Sequence, residues 1–569
     1  MIKVVSVAQM REIEAAADAS GMSYDTMMEN AGHAAAARAM KIVAGLPDAR
    51  VTVLVGPGNN GGDGLVAGRI IAQESSAVVR FYLLKRRDES DAHFKAVTDA
   101  DLFVAYAEDD QQYRVLRNMV ASADLVIDAL FGIGAKLPFK DDAAKVLRNV
   151  NQALNERRSE KPQGVTINPA FPDKVSAPPV PYMLSLDCPS GLDCDSGELD
   201  KNAIKADETI TFIAAKPGLV TFPGAGNVGK LSVAGIDIPE DLPPLKAINV
   251  TLVDAQMASM LLPVRPLDSH KGTYGKALIV AGSVNYIGAP SLAAQAAYRV
   301  GAGLVTVGAP QPVVAALAAQ LAEPTWLLLP HDMGVLSEKA ADLIREELPN
   351  CQALLLGPGW GRENTTRMML TELFSVASEA QARRNRRAIG FLSIKQEASE
   401  AAEKANSNFP PLVIDADGLN LLSELDEWWK LLPPNTILTP HPGEMARLTK
   451  LDNQAVQSKR LEIASSKAAE WKAVVVLKGA HTIIAAPDGR TAILPFKTDA
   501  LAKAGTGDVL AGTITGFLAQ GSAAYDAAVA GTYVHALAGQ LAAEWLGSTR
   551  SVMARDVIDS LSEALGMLA

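Results

Sequence analysis

The feature that most constrains the fold of this chain is a series of short apolar segments that alternate with segments of helical character. Val51–Val55 is the first clear example, bounded on its C-terminal side by glycine. Runs of this length are typical of strands buried on both faces of a parallel sheet. Helices between such strands predict a doubly wound α/β architecture. The other predicted strands are at 79–84, 125–130, 182–186, 209–213, 277–281, 304–307, 353–356, 412–414, 436–438 and 474–477.

A proline-rich segment, Ile238–Leu245, separates two such series. A break of this composition between two α/β series is typical of a domain boundary. The length of 569 residues also exceeds one ordinary domain. We therefore predict two doubly wound α/β domains, over residues 1–240 and 241–569.

Two stretches, Asn155–Pro181 and Ala380–Pro410, fit neither series. The second contains the basic cluster Arg383–Arg387, which could contact a nucleotide or RNA. We interpret this cluster as a solvated surface segment, because charge runs usually face water.

Charge and cysteine content narrow the class of protein. The net charge of −11 disfavours a nonspecific binder of nucleic acid or of anionic membranes. Three cysteines are too few for a disulfide framework, so a reducing compartment is expected. No apolar run approaches the roughly 18–20 residues that span a bilayer. These observations favour a cytoplasmic enzyme.

The glycine-rich segment Gly56–Gly64 follows the first predicted strand and precedes a helix that we predict to begin near Leu65. Glycines let a backbone turn sharply and approach a ligand closely. Amide groups at the start of a helix suit an anion. The glycine spacing matches neither a Walker loop nor the dinucleotide fingerprint. We predict a ligand-binding loop of another kind.

Two further loops, Asp128–Gly134 and Ser185–Gly191, follow later strands. Ligands of open α/β sheets bind beyond the carboxyl ends of the strands, so these loops and the glycine-rich segment are expected to meet at one pocket. Its oxygen donors suit a hard cation or a proton-transfer site rather than zinc. The side chains expected there are those of Asn60, Asp63, Asp128, Asp187 and Ser190.

These loops, together with Met27–Gly32 and Ala215–Gly218, resemble the NAD(P)H-hydrate epimerase family over nearly all of residues 1–240. The resemblance implies a Rossmann-like domain that interconverts the R and S hydrates of NADH and NADPH and binds potassium. Cys188 departs from the family, which usually has an aliphatic residue at that position.

The resemblance also implies the roles of single residues. Asp187 is the candidate acid/base, since inversion of the hydrated carbon needs proton transfer. The implied potassium ligands are Asn60, Asp128 and Ser190. The implied substrate-binding residues are Asn59, Asn60, Gly61, Gly62, Asp63, Gly132, Ile133, Gly134, Ala135, Lys136 and Asp187.

The strongest signal in the second half is Ala504–Gly512, which precedes an apolar helix. Its amides at Gly505–Gly507 can face a phosphate at the helix start. Asp508 is placed to take a proton from a hydroxyl that attacks this phosphate. Lys478–Thr482, after the strand at 474–477, suits a nucleotide phosphate.

This half resembles the ribokinase-like superfamily. Within it, Ser269–Gly275, Thr439–Glu444 and Ala504–Gly512 resemble the ADP-dependent NAD(P)H-hydrate dehydratases over about 260–569. The resemblance implies that ADP phosphorylates the ring hydroxyl of the S hydrate and that phosphate then leaves. Magnesium is expected because the reaction transfers a phosphoryl group. The implied hydrate contacts are Ala289, Gly359, His441 and Asp508, and the implied nucleotide contacts are Lys478, Gly479, Ala480, His481, Thr482 and Gly507.

The resulting hypothesis is a bifunctional repair enzyme, expected to form a homo-oligomer, that acts on the two hydrates and ADP. Two alternatives stay open at this point. The second half could be a small-molecule kinase of the hydroxymethylpyrimidine type, which shares the superfamily fold. The first half could be a non-catalytic scaffold, although Asp128 and Asp187 are retained.

Overall fold

A computed structural model of the chain describes residues 1–159, 180–385 and 409–569, with backbone only over 375–385. The chain divides into two compact units, Ile2–Asn249 and Val250–Ala569. Most of the stretches at 155–181 and 380–410 therefore lie outside the described residues. Among the helices that are described, none has the length and apolar character needed to cross a membrane.

The first unit contains a parallel sheet of seven strands in the order β4-β3-β2-β5-β6-β7-β8. The order reverses direction beside β2, which is the switch point where doubly wound sheets bind ligands. Its strands, after a short β1 at Ile2–Lys3, are β2 (Arg50–Val55), β3 (Val78–Leu83), β4 (Phe103–Tyr106), β5 (Leu125–Ala129), β6 (Tyr182–Leu186), β7 (Glu208–Phe212) and β8 (Lys230–Ala234).

Helices cover both faces of this sheet and form two apolar cores. A capping box begins the first of these helices: Ser6 Oγ accepts a hydrogen bond from Gln9 N, and the Gln9 side chain accepts one from Ser6 N. The helices are α1 (Val7–Ala19), α2 (Tyr24–Ile42), α3 (Asn59–Glu74), α4 (Ala92–Asp99), α5 (Arg114–Ala121), α6 (Asp141–Arg158) and α7 (Pro243–Lys246).

The structure places the division between the units at 249/250 rather than at the predicted 240/241. The proline-rich segment belongs to the first unit because α7 packs against α1. Leu242 and Ile248 are buried in the first core, and Lys3 Nζ donates to Ile248 O at 2.7 Å.

The second unit contains a sheet in the order β9-β20-β19-β18-β17-β16-β15-β10-β11-β12. Its strands are parallel except where β19 runs antiparallel to β18 and β20. The strands are β9 (Val250–Leu252), β10 (Lys276–Val280), β11 (Leu304–Pro310), β12 (Thr325–Leu329), β15 (Ala353–Leu356), β16 (Leu412–Ile414), β17 (Thr436–Leu438), β18 (Val474–Leu477), β19 (Ile483–Ala485) and β20 (Thr491–Ile493), with a separate antiparallel pair β13 (His331–Asp332) and β14 (Val335–Leu336).

An alanine-rich layer packs on this sheet, because small side chains let helices approach each other closely. Gly512 shows how close: a Cβ there would lie 2.2 Å from Ala293 O. The helices are α8 (Ala255–Met260), α9 (Gly288–Arg299), α10 (Gln311–Leu317), α11 (Ala340–Glu347), α12 (Asn364–Asn385), α13 (Asp417–Leu422), α14 (Pro442–Thr449), α15 (Asn453–Ser458), α16 (Arg460–Trp471), α17 (Thr506–Ala519), α18 (Ala524–Leu546) and α19 (Ala554–Gly566).

The glycine-rich segment is mostly helical, so the predicted helix start near Leu65 is wrong: α3 begins at Asn59. Its glycines serve close packing. A Cβ at Gly62 would lie 2.3 Å from Met28 Sδ, and one at Gly64 would lie 2.5 Å from Ala129 Cβ. The loop proper is limited to 56–58.

Candidate functional site

A cavity of about 650 Å³ lies at the carboxyl ends of β2, β5 and β6 in the first unit. It joins the three loops that the sequence predicts to converge. Gly61 and Gly62 do not line it, because they pack against Gly56 and Met28. Lys136 is exposed and does not line the cavity either. The predicted residues that line it are Asn59, Asn60, Asp63, Gly132, Ile133, Gly134, Ala135 and Asp187.

Asp187 is held in a network of donors at the floor of this cavity. Its backbone has a φ of 62°, a left-handed conformation that is uncommon outside glycine. Oδ1 accepts from Lys216 Nζ at 2.5 Å and from Thr211 Oγ1 at 3.2 Å, while Oδ2 accepts from Ile133 N at 3.3 Å. These donors hold the Asp187 carboxyl group in one orientation at the cavity wall.

Two further carboxyl groups face the same cavity, those of Glu14 and Asp63. Burial raises the pKa of Asp63 well above its ordinary value, and the charge of Asp187 raises it further. Burial and Asp187 also raise the pKa of Glu14. The cavity therefore combines a carboxylate paired with lysine and carboxyl groups that hold protons more tightly.

A buried polar cluster lies beside the cavity. Asp128 is completely buried and accepts hydrogen bonds from Ser185 Oγ at 2.9 Å, Ser190 N at 2.8 Å and Ser190 Oγ at 2.6 Å. Both polar atoms of the Asn60 amide are buried, and no residue that the structure describes offers either of them a hydrogen bond. A buried amide oxygen that lacks a hydrogen-bond donor is an oxygen ligand of the kind that fits a hard cation.

In the second unit, Asp415 and Lys478 form a buried ion pair. Asp415 Oδ1 accepts from Lys478 Nζ at 2.7 Å and from Thr439 Oγ1 at 2.7 Å. Lys478 Nζ also lies 3.8 Å from Glu444 Oε2. Burial raises the pKa of Glu444 to about 7. Carboxylates of the same chain thus lie around the Lys478 ammonium. The sequence predicted that Lys478 contacts a nucleotide, but it did not predict these carboxylates.

The first turn of α17 faces this ion pair. Gly505 has a φ of 89° and is followed by the helix start at Thr506. A Cβ on Gly507 would lie 3.6 Å from Lys478 Nζ and 3.8 Å from Asp415 Oδ2. Burial raises the pKa of Asp508 to about 7, with a further contribution from the charge of Asp415. A carboxyl group whose pKa is about 7 suits proton transfer near neutral pH.

The other predicted residues of this unit differ in how they are placed. Ala289 and Gly359 are neighbours: a Cβ on Gly359 would lie 2.9 Å from Ala289 Cβ. His441 is half exposed and caps α14, where its Nδ1 accepts from Gly443 N at 3.0 Å. His481 is buried, with Nδ1 2.9 Å from Leu494 O and Nε2 without a partner. Burial lowers the pKa of both histidines to about 4.

Sequence reasoning assigned no role to three of these groups. Lys216 lies in the quoted Ala215–Gly218 motif, but nothing in its spacing indicates that it pairs with Asp187. Glu14 lies on α1, outside every motif. Asp415 follows a buried strand, which was a usable signal for a site at the carboxyl edge of the sheet.

Each of the two α/β units holds one candidate site. The first has a cavity lined by carboxyl groups, and the second has a helix N-terminus suited to a phosphate beside acidic groups. This arrangement is that of an enzyme with two active sites. Two family models match the chain. The model described as "YjeF-related protein N-terminus" matches residues 24–218, and that described as "NAD(P)H-hydrate dehydratase" matches 277–381 and 388–562.

Similar proteins cover the whole chain. The bifunctional NAD(P)H-hydrate repair enzyme Nnr of Moorella thermoacetica is 34% identical over 99% of this chain and 96% of its own. The enzyme of the same name from Thermofilum pendens is 32% identical over 96% and 93%. A solved ADP/ATP-dependent NAD(P)H-hydrate dehydratase from Bacillus subtilis, co-crystallised with ATP/Mg²⁺, is 30% identical, covers 57% of this chain and all of its own, and has a TM-score of 0.44.

The chain belongs to the family of bifunctional NAD(P)H-hydrate repair enzymes. This membership confirms the predicted family and decides against the kinase and scaffold alternatives, since relatives of this name align over both units.

Proposed function

We propose that the two units repair hydrated nicotinamide cofactors in sequence. The first epimerises the R and S hydrates of NADH and NADPH, and the second dehydrates the S hydrate at the expense of ADP. The observation that carries the proposal is that family membership spans both units and that each holds a positioned carboxyl group, Asp187 or Asp508.

In the first unit, Asp187 is the group that exchanges a proton with the hydrated ring. Lys216 and Thr211 orient it, and the Ile133 amide fixes its second oxygen. Asn59, Asp63 and the Gly132–Ala135 loop line the space around it. Glycine at position 132 keeps this carboxylate uncovered, because a Cβ there would lie 3.1 Å from Asp187 Oδ2.

Potassium fits the polar cluster beside this cavity. Asn60, Asp128 and Ser190 would hold it, and the unpartnered Asn60 amide is the feature that supports this assignment. Bound there, the cation would balance the buried charge of Asp128 and offer a coordination position to a substrate oxygen.

In the second unit, Asp508 accepts the proton of the ring hydroxyl as this oxygen attacks the terminal phosphate of ADP. AMP is released, and the phosphate then leaves the ring carbon as a neighbouring carbon loses a proton. The Gly507 amide is suited to stabilise the transferring phosphoryl group. Ala289, Gly359 and His441 would contact the hydrate.

The nucleotide would lie against Lys478–Thr482, of which Gly479 and Ala480 are exposed. Magnesium would accompany its phosphates and balance their charge. Asp415 and Glu444 lie near that position, since Lys478 contacts both.

The setting of the enzyme is part of the same proposal. Cys188, Cys194 and Cys351 are all free thiols, which supports a reducing compartment such as the cytoplasm. We expect a homo-oligomer whose ligands are the two hydrates and ADP, without nucleic acid or membrane partners.

A test uses a mixture of R and S hydrates of NADPH and follows recovery of absorbance at the dihydronicotinamide band. Full recovery is expected with ADP and magnesium in the presence of potassium. Recovery that stops near the S fraction would contradict the epimerase assignment. No recovery with ADP or ATP would contradict the dehydratase assignment.

Two variants separate the sites within one chain. Asp187→Asn should stop recovery at the S fraction and leave dehydration of purified S hydrate intact. Asp508→Asn should abolish recovery but still equilibrate R and S hydrates, which chiral chromatography resolves.

A further inference from the structure

His535 is a buried histidine on α18 that lies outside every motif of the sequence. It is 5% exposed, and its helix neighbours Val534 and Ala536 are buried apolar residues. Its Nε2 lies 2.9 Å from the carbonyl oxygen of Thr506, the first residue of α17. A polar ring in this alanine-rich layer is costly to bury, and this hydrogen bond offsets the cost.

The proton on this ring can be assigned from chemistry. A carbonyl oxygen only accepts hydrogen bonds, so Nε2 of His535 carries the hydrogen. Burial lowers the pKa of His535 to about 4, and the charge of Lys478 acts in the same direction. The ring is therefore neutral near pH 7, with its Nε2–H directed at Thr506.

This bond acts on the peptide that links Thr506 to Gly507. In a trans peptide the carbonyl and the following N–H point in opposite directions. A carbonyl held toward His535 directs the Gly507 N–H to the opposite side. Gly507 itself borders the ion pair, since a Cβ there would lie 3.6 Å from Lys478 Nζ. Asp508 follows directly in the chain.

Thr506 is anchored a second time. Its Oγ1 donates to the carbonyl oxygens of Leu501 and Lys503, each at 2.8 Å. The hydroxyl holds the helix start to the preceding loop, whereas His535 holds it to α18. The first turn of α17 is thus fixed from two sides.

We infer that His535 is a positioning residue for the dehydratase reaction: its Nε2–H holds the Thr506–Gly507 peptide so that the Gly507 amide faces the transferred phosphoryl group. The inference rests on the proposed function of the second unit. His535 touches neither substrate nor nucleotide, and it acts only through α17.

The test compares three variants of the full-length chain. His535→Leu removes the Nε2–H donor and puts an apolar side chain in its place. His535→Asn keeps polarity, but its amide cannot reach as far as Nε2. His535→Gln places an amide donor close to the Nε2 position. Thr532→Val is a matched control, because the Thr532 hydroxyl donates within α18, to Ala528 O at 2.6 Å.

The expected loss for His535→Leu and His535→Asn is about 100-fold in kcat for ADP-dependent dehydration, the effect of misplacing one phosphoryl-stabilising donor. KM for the S hydrate should change less than twofold. His535→Gln should recover kcat to within about fivefold of the wild type. Thr532→Val and epimerisation by all variants should be unchanged.

Several results would overturn the inference. One is an unchanged kcat in His535→Leu. Another is equal losses in His535→Gln and His535→Asn. A third is a loss of kcat that is accompanied by a lower melting temperature and a raised KM. That combination would show that His535 only stabilises the fold. A wild-type chain that does not dehydrate the hydrate would instead contradict the proposed function itself.

Discussion

The ammonium of Lys216 lies 2.5 Å from Oδ1 of Asp187 and is 1% exposed there. Lys216 Nζ also donates to Thr211 Oγ1 at 2.6 Å and to Phe212 O at 3.3 Å, so its three hydrogens have three acceptors. Asp187 is 13% exposed and faces the cavity. The pair therefore joins a fully enclosed cation to a carboxylate that a substrate can reach.

Replacement of this lysine should damage both stability and epimerisation. In Lys216→Met the Asp187 charge loses its partner in a buried setting, which costs about 3–5 kcal/mol. We expect epimerase kcat to fall by at least about 100-fold, since the carboxylate also loses its orientation. Urea unfolding and chiral analysis of R-to-S conversion measure the two effects. The matched control is Lys205→Met, which removes an exposed lysine of the same unit; equal behaviour of the two variants would refute the role of Lys216.

Asp508 should make dehydration depend on pH. With its pKa raised to about 7, the carboxyl group is largely protonated below pH 6 and cannot accept a proton. We expect the rate of dehydration of purified S hydrate to rise through about pH 7 and then level off. Near-UV circular dichroism of the same samples reports whether both units remain folded. A rate that is flat between pH 5.5 and 8 would contradict this assignment.

The same raised pKa affects stability. Between the unfolded value of 3.8 and about 7, only the folded state holds the Asp508 proton, so the free energy of unfolding falls as pH rises through this window. Asp508→Asn should make this slope smaller, and the part contributed by Glu444, whose pKa is also raised to about 7, should stay. The variant should be inactive as a dehydratase yet melt at a higher temperature than the wild type at pH 8. A lower melting temperature at pH 8 would show that ionised Asp508 is not a destabilising group.

Asn60 should carry the response of the epimerase to potassium. Asn60→Leu removes a buried amide that has no protein partner, so its stability should stay within about 1 kcal/mol of the wild type without potassium. Epimerase activity of the wild type should rise when KCl replaces choline chloride at equal ionic strength, and that of Asn60→Leu should not. Dehydration of purified S hydrate controls for effects of salt on the second unit. An equal response to potassium in both proteins would exclude Asn60 as a ligand.

A substitution at Gly507 tests where the phosphate binds in the second unit. A Cβ there makes only ordinary contacts in the folded protein, and alanine favours a helix over glycine by roughly 0.5–1 kcal/mol. Gly507→Ala should therefore fold well, yet place a methyl group where the transferring phosphate is expected. We expect KM for ADP to rise at least about tenfold, an effect of roughly 1.4 kcal/mol. Gly566→Ala, in open space at the end of α19, is the control and should leave KM unchanged.

The central strands could be predicted from sequence because burial on both faces leaves a continuous apolar run, as in β2 and β18. The edge strand β8 was missed because Lys230 and Ser232 interrupt its apolar residues. The edge strand β4 was missed although Phe103–Tyr106 is apolar, and its side chains are half buried or exposed in the fold. The glycines of α3 were assigned to a loop, since their composition alone cannot distinguish a turn from a tightly packed helix. Only the fold reveals Met28 and Ala129 against them.

In the candidate sites, too, some residues could be predicted from the sequence and others could not. Residues at strand ends, such as Asp128 and Asp187, could be predicted because topology alone places them at one edge of the sheet. Lys216 and His535 could not, since each acts through a partner that is distant in sequence. Their roles depend on single hydrogen bonds that no spacing encodes.

The pairing of β9 with β20 has a consequence for how the protein is made. β9 opens the second unit, directly after the first unit ends at Asn249, and its partner β20 ends at Ile493. A ribosome that adds roughly 5–20 residues per second needs about 12–50 s to travel between these points. During that time the first unit has its complete sequence, while the second lacks a strand of its sheet. Each newly made chain can thus complete the site around Asp187 well before the site around Asp508.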